Sequence, residues 1–276
     1  MAGYGLTVCL PGEARDRLED AVADAMEPFR IEGDRPYSDD LWIWDHWRIT
    51  GGADGCGYRV RPGHEGDARL VHDQPLGDGT RESSRPGWCA GGPRGLLVVG
   101  EDRERAVRLA GVVWDGWREL LREHPPGRPW REYEPVRSAG LGAHAYTERY
   151  RAAHAVYLAQ TPAAAFRQWA DGLSLDPADE TFRFALFGTS DPRRWIGERD
   201  REEFVAREAE RATGPCNLLT VEGWWWEEGH RPVHGACDDP ATCPHTPPAA
   251  PGPAGTAAHL AGLPDDTLLV YVRCHV

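Results

Sequence analysis

Two short apolar runs of β character, one near each end of the sequence, constrain the fold more than any other feature. Leu6-Thr7-Val8-Cys9-Leu10 is stopped by Pro11-Gly12, and the second run spans Thr267–Arg273. A single strand leaves its backbone N–H and C=O groups without partners, so each run needs a neighbour. Between them, residues 13–29 predict a helix: Leu18, Val22, Ala25, Met26 and Phe29 fall on one stripe, with acids and arginines opposite. The expectation is that strands 6–10 and 267–273 share a sheet and that helix 13–29 packs on it. This is an α+β fold of ferredoxin-like kind, a mixed or antiparallel sheet with packed helices.

The interior reads less evenly. Leu41 to Ile49 predicts a strand carrying Trp42, Trp44 and Trp47, ending at Gly51-Gly52. Residues 51–95 are rich in Gly, Pro, Asp and Arg and predict irregular loops, with one short strand at Tyr58–Arg61. Gly95–Gly100 predicts a buried strand. A helix follows, capped by Asp102 and presenting Ala106, Ala110, Val113, Trp114, Trp117 and Leu121. The breaker-rich stretch 125–137 is the best internal boundary, giving α+β halves 1–136 and 137–276, or one continuous domain. The second half predicts helices from Thr147 to Leu158 and after Thr161-Pro162, a strand at Thr181–Phe187, and a helix opened by Asp200 and Glu203. Leu218–Val221 and Trp224–Trp226 flank Glu222-Gly223 as a hairpin, and 230–262 predicts an exposed Pro-rich loop.

Composition excludes several functions. With 276 residues, 41% of them hydrophobic, the chain is long enough to build its own core. It contains no lysine, so pyridoxal phosphate held as an internal aldimine and a Walker-type phosphate loop are both ruled out. A formal charge of −13 disfavours nucleic acid as a partner. No secretory signal or membrane-spanning apolar run is present, which predicts a cytoplasmic protein whose seven cysteines are reduced or bind metal.

Four segments carry a family resemblance. They are the opening strand and helix, Trp42-Ile43-Trp44-Asp45-His46-Trp47-Arg48-Ile49-Thr50-Gly51-Gly52, Leu219–Gly229, and Leu263–Val276 ending Arg273-Cys274-His275-Val276. Together they resemble an uncharacterised family of actinobacteria and their phages, whose members carry Trp-Asp-Trp running into Gly-Gly-Arg-Trp and end in Asp-Cys-His with Ile or Val. Here Ala53-Asp54 follows the glycines and Arg273 stands where the pattern has Asp. The resemblance implies kinship and no particular reaction.

Three constellations bear chemistry. His230, His234, Cys237, Cys243 and His245 place five zinc-type donors within sixteen residues of little apolar content. They predict a zinc site; the alternative is an acidic loop with incidental Cys and His. Asp45, His46, Cys274 and His275 are candidate catalytic groups for a small hydrolase or transferase; the competing and favoured reading makes Cys274 a buried small hydrophobe and His275 a partly exposed terminal residue. Neighbours on a strand face opposite sides, so Cys274 and His275 need partners from elsewhere. Among twelve tryptophans, Trp42 and Trp44 share one strand face and Trp224 and Trp226 another, with Trp225 turned the other way and expected to be exposed. Their indoles suit an accessory protein that binds a small molecule or a protein on a Trp-rich sheet surface. A Trp-rich core is the competing role.

Overall fold

The computed structural model describes residues 3–30, 44, 46–53, 55–75, 79–80, 83–100, 103–124, 127–136, 143–175, 192–227, 230–237, 242–246 and 253–275. The strands in chain order are β1 (Gly3–Leu10), β2 (His46–Ile49), β3 (Tyr58–Val60), β4 (Trp88–Cys89), β5 (Gly91–Pro93), β6 (Leu97–Val98), β7 (Leu218–Leu219), β8 (Trp224–Trp226), β9 (Val233–His234) and β10 (Leu268–His275). The helices are α1 (Leu18–Met26), α2 (Arg103–Glu123), α3 (Ala143–Leu158), α4 (Thr161–Gly172), α5 (Pro192–Trp195), α6 (Arg201–Arg211) and α7 (Pro253–Gly262). The fold is α+β.

The two terminal runs pair as expected. β1 lies antiparallel to β10 from Gly3 opposite His275 to Leu10 opposite Leu268. Around that ladder the described residues form a seven-stranded sheet in the order β2-β10-β1-β7-β8-β9, with β5 also on β10. The sheet is mixed: β1 and β7 run parallel, and the other pairs are antiparallel. A second, three-stranded sheet has the order β4-β3-β6.

Period-two alternation divides the large sheet between two cores. On one face, Leu6, Val8 and Leu10 of β1 and Leu268, Val270, Val272 and Cys274 of β10 meet the α1 stripe, with Val22, Met26 and Phe29 buried and Leu18 and Ala25 partly so. On the other, Cys9 and Leu269 join Leu218, Trp224, Trp226, Leu97 and Leu260 of α7. Full burial of each such side chain contributes about 1.5–3 kcal/mol, so a sheet covered on both faces is the natural anchor of the unit. The polar Thr7, turned into the second core, is satisfied by a 2.6 Å hydrogen bond with the Tyr58 hydroxyl.

Several expected boundaries move. The predicted strand 41–49 is regular only over β2. Trp44 forms a lone parallel bridge to Arg30, and residues 41–43 and 45 lie outside the described residues, as do Asp102 and the predicted strand 181–187. Gly95–Gly100 holds a 3-10 turn at Arg94–Leu96 before the two-residue β6. The helix expected after Thr147 begins earlier, at Ala143, and α4 follows Gln160, with Pro162 in its first turn. Asp200 accepts the Glu203 N–H at 2.8 Å, the expected cap of α6. The stretch 230–262 is no continuous loop: it holds β9 and α7.

The compact units do not follow the predicted halves. One comprises residues 1–103 with 210–276 and contains both sheets; the other comprises residues 104–209. Pairing of β1 with β10 makes the first unit discontinuous. In the second, α2 buries Ala106, Leu109, Ala110, Val113 and Trp117, with Trp117 edge-on to Phe166 of α4 and Trp195 edge-on to Phe204 of α6. No helix among the described residues is long and apolar enough to cross a membrane.

Candidate metal centre

The centre grows from the β7–β8 hairpin. Its turn is closed by Gly223 N–H to Thr220 O (3.0 Å) and Thr220 N–H to Trp224 O (2.9 Å). Gly223 sits at φ +83°, a conformation that favours glycine. β9 then adds to β8, placing His234 opposite Trp224. The two rings meet edge-on at 4.8 Å, and a bond from Gly235 N–H to Gly223 O (2.9 Å) ties the end of β9 back to the turn.

The hairpin also sets the His234 tautomer. Nε2 lies 3.0 Å from the Glu222 carbonyl oxygen, which only accepts, so Nε2 carries the proton and donates it. Nδ1 is therefore left with its lone pair, which accepts a 3.3 Å hydrogen bond from the Ala236 N–H that a metal would have to displace. A metal-ligating imidazole is commonly oriented in this way, one nitrogen anchored to a carbonyl and the other turned to the ion.

Cys237 and His245 gather beside that nitrogen, and Cys243 stands next to His245. The Cys237 amide bonds to His234 O (3.0 Å) in the turn after β9, which brings its Sγ to 4.0 Å from His234 Nδ1 and 3.3 Å from His245 Nδ1. Cys243 Sγ stands 3.6 Å from the same His245 nitrogen. The His234 and His245 rings stack at 3.8 Å. The ligand atoms of His234, Cys237 and His245 all lie within 4.8 Å of one another. In a tetrahedral zinc site with Zn–S of about 2.3 Å and Zn–N of about 2.0–2.1 Å, sulfur and nitrogen ligands are separated by about 3.6 Å. The three sulfur–nitrogen distances bracket that edge.

The other two predicted ligands are not in this three-residue group: Cys243 stands at its edge beside His245, and His230 lies apart. Its Nε2 lies 3.9 Å from Glu227 Oε1, and its amide closes a turn onto Glu227 O. Pro232 separates it from β9, so its ring follows the turn and not the strand.

The described members of the predicted catalytic set divide between the two faces of the sheet. Cys274 is fully buried in the first core, and burial pushes its thiol up to about 12, offset in part by a hydrogen bond with Tyr4. Such a thiol is protonated at neutral pH and is no nucleophile. His46 and His275 are cross-strand partners on the opposite face of the sheet from Cys274. Asp45 lies outside the described residues, as does Trp42.

The three described members of the predicted binding tryptophans are core. Trp44 is buried and donates its indole N–H to Met26 O at 2.9 Å, while Trp224 and Trp226 belong to the second core. Trp225 corrects the expectation of exposure: it is 2% exposed, packed on Phe29 at 5.0 Å and near Tyr4. Sequence alternation placed it correctly opposite its neighbours. Both faces of this sheet are covered, so the opposite side is a second core and not solvent.

Two features escaped the sequence reading. Asp73, 2% exposed, accepts the Gly52 N–H (2.8 Å), the Ala53 N–H (3.1 Å) and the Thr50 hydroxyl (3.2 Å), which makes Gly51-Gly52 a turn held by a buried carboxylate. In the second unit, Trp130 lies edge-on to Tyr150, His154 and Tyr157 of α3 at 5.2–5.5 Å. Spacing of these α3 rings at four and three residues was the available signal for the latter. No family model, curated protein or solved structure matches the chain.

Proposed function

We propose that this chain is a zinc-binding protein whose centre is structural, with His234, Cys237, Cys243 and His245 as ligands. The observation that carries the reading is the three-donor group His234, Cys237 and His245, whose ligand atoms lie within 4.8 Å of one another, with Cys243 Sγ 3.6 Å from His245 Nδ1 as the nearby fourth donor and the His234 tautomer set by the Glu222 carbonyl. Two thiolates and two imidazoles complete a tetrahedron, which leaves no position for a substrate or an activated water. The role supported is organisation of the β9 edge and the segments around 235–237 and 242–246, which have too little apolar surface to pack by themselves.

The test is metal content combined with two histidine variants. Protein purified without chelator is expected to hold about one equivalent of zinc. Cobalt replacing it is expected to give the strong visible bands of tetrahedral thiolate coordination. His234→Ala should weaken zinc binding at least about tenfold in competition with a chromogenic chelator, the scale expected for loss of a ligand or its support. His230→Ala should leave affinity unchanged. Metal content below about a tenth of an equivalent, with no cobalt spectrum, would overturn the reading.

A further inference from the structure

The zinc reading assigns two thiolates to a partly exposed site. We propose that Cys237 and Cys243 form a peroxide-sensitive pair whose oxidation to a disulfide expels the zinc; this rests on the zinc-binding reading above. Three observations converge. Both sulfurs approach the same atom, His245 Nδ1, at 3.3 and 3.6 Å, so they are no more than about 7 Å apart. Both residues are partly exposed, whereas Cys9, Cys89 and Cys274 are buried. Neither 235–237 nor 242–246 belongs to a long helix or ladder that would hold the sulfurs apart, since β9 ends at His234.

The chemistry closes with hydrogen peroxide as the oxidant. Coordination keeps both thiols deprotonated. One thiolate attacks a peroxide oxygen; the O–O bond breaks, a sulfenic acid forms, and the departing hydroxide takes a proton to become water. The second thiolate attacks that sulfur; the S–O bond breaks, the S–S bond forms, and a second hydroxide leaves and is protonated. Two thiolates lose two electrons in total and one peroxide becomes two waters. The zinc loses both anionic donors and keeps only two neutral imidazoles, so it dissociates. A dithiol reductant reverses the exchange and restores the site.

The experiment uses the full-length chain as isolated, its zinc content measured first. Peroxide is then titrated in while a chromogenic chelator reports released zinc. The expected result is about one zinc released per peroxide consumed, and a disulfide joining Cys237 to Cys243. The sequence makes that link readable: Asp238 and Asp239 lie between the two cysteines, so cleavage at aspartate yields two peptides that only a disulfide joins. Dithiothreitol plus zinc should restore the bound metal. Cys243→Ser should give no cross-link under the same treatment. A protein without zinc at the start would overturn both this inference and the proposed function. Zinc that stays bound in excess peroxide, or leaves while the cross-link is absent or involves another cysteine, would overturn this inference alone.

Discussion

At the scale of single residues, chemistry follows burial more closely than residue type. Cys274 and Cys237 are both cysteines in a resemblance-bearing or donor-rich stretch, and the sequence makes both candidates, Cys274 with a buried structural role as the favoured alternative. The first lies in a dry core where burial raises its thiol to about 12, and Cys89 is raised to about 11 for the same reason. Cys9 is raised further still. An unfolded chain gives up these protons near the ordinary thiol value of 9.0. Above that pH the native state binds more protons than the unfolded state, so stability falls as pH rises. The slope is about 1.4 kcal/mol per pH unit for each thiol inside its window. The contribution is complete below pH 9 and is lost on the way to the folded value; the raised Tyr4 and Tyr58 hydroxyls act in the same direction at higher pH. Urea unfolding midpoints should therefore drop steeply between about pH 9 and pH 12, and Cys274→Ala should flatten that fall. An equally steep fall in the variant would show that this thiol is not among the responsible groups.

At the scale of elements, what was legible had a clear period. The stripe Leu18, Val22, Ala25, Met26 and Phe29 gave α1 and its buried face, alternation gave the faces of Trp224 and Trp226, and Glu222-Gly223 gave the hairpin. What was illegible had none. β9 is two residues long, and α7 is built of Pro, Ala, Gly, Thr, His and Leu without a strong apolar stripe, so 230–262 read as loop. His230 was grouped with true neighbours of the centre because proximity in sequence does not reveal that the chain turns at Glu227. The hairpin turn links these matters. A Cβ added at Gly223 would meet no atom within 4 Å, so Gly223→Ala is opposed only by its φ of +83°. The expected cost is about 1 kcal/mol. The strain falls beside the carbonyl that orients His234, so zinc affinity should decline together with the urea midpoint. A variant with lower stability and unchanged zinc affinity would show that His234 does not depend on this turn.

At the scale of the whole molecule, stability should be graded across the large sheet. Its middle is the full-length β1–β10 ladder, sealed on both faces by apolar side chains. Its far edge is β9, paired with β8, among the described residues, through Trp224–His234 and Trp225–Val233. Two paired positions cannot hold a strand against the conformational entropy of the chain, about 1–2 kcal/mol per backbone residue. The edge instead depends on the Gly235 and Cys237 amide bonds and, on the proposed reading, on the metal. Local opening needs only the loss of these weak contacts, whereas exposing β1 requires unfolding both cores. Removing zinc with a chelator should therefore accelerate hydrogen exchange at the amides of Gly235 and Cys237 by about tenfold or more. The β1 amides from Leu6 to Leu10 should keep their protection, as should the α2 helix of the second unit. Unchanged exchange at Gly235 and Cys237 would mean that hydrogen bonding alone secures the edge. Loss of protection along β1 would mean that the metal supports the whole sheet, and the gradient argued from its two cores would be wrong.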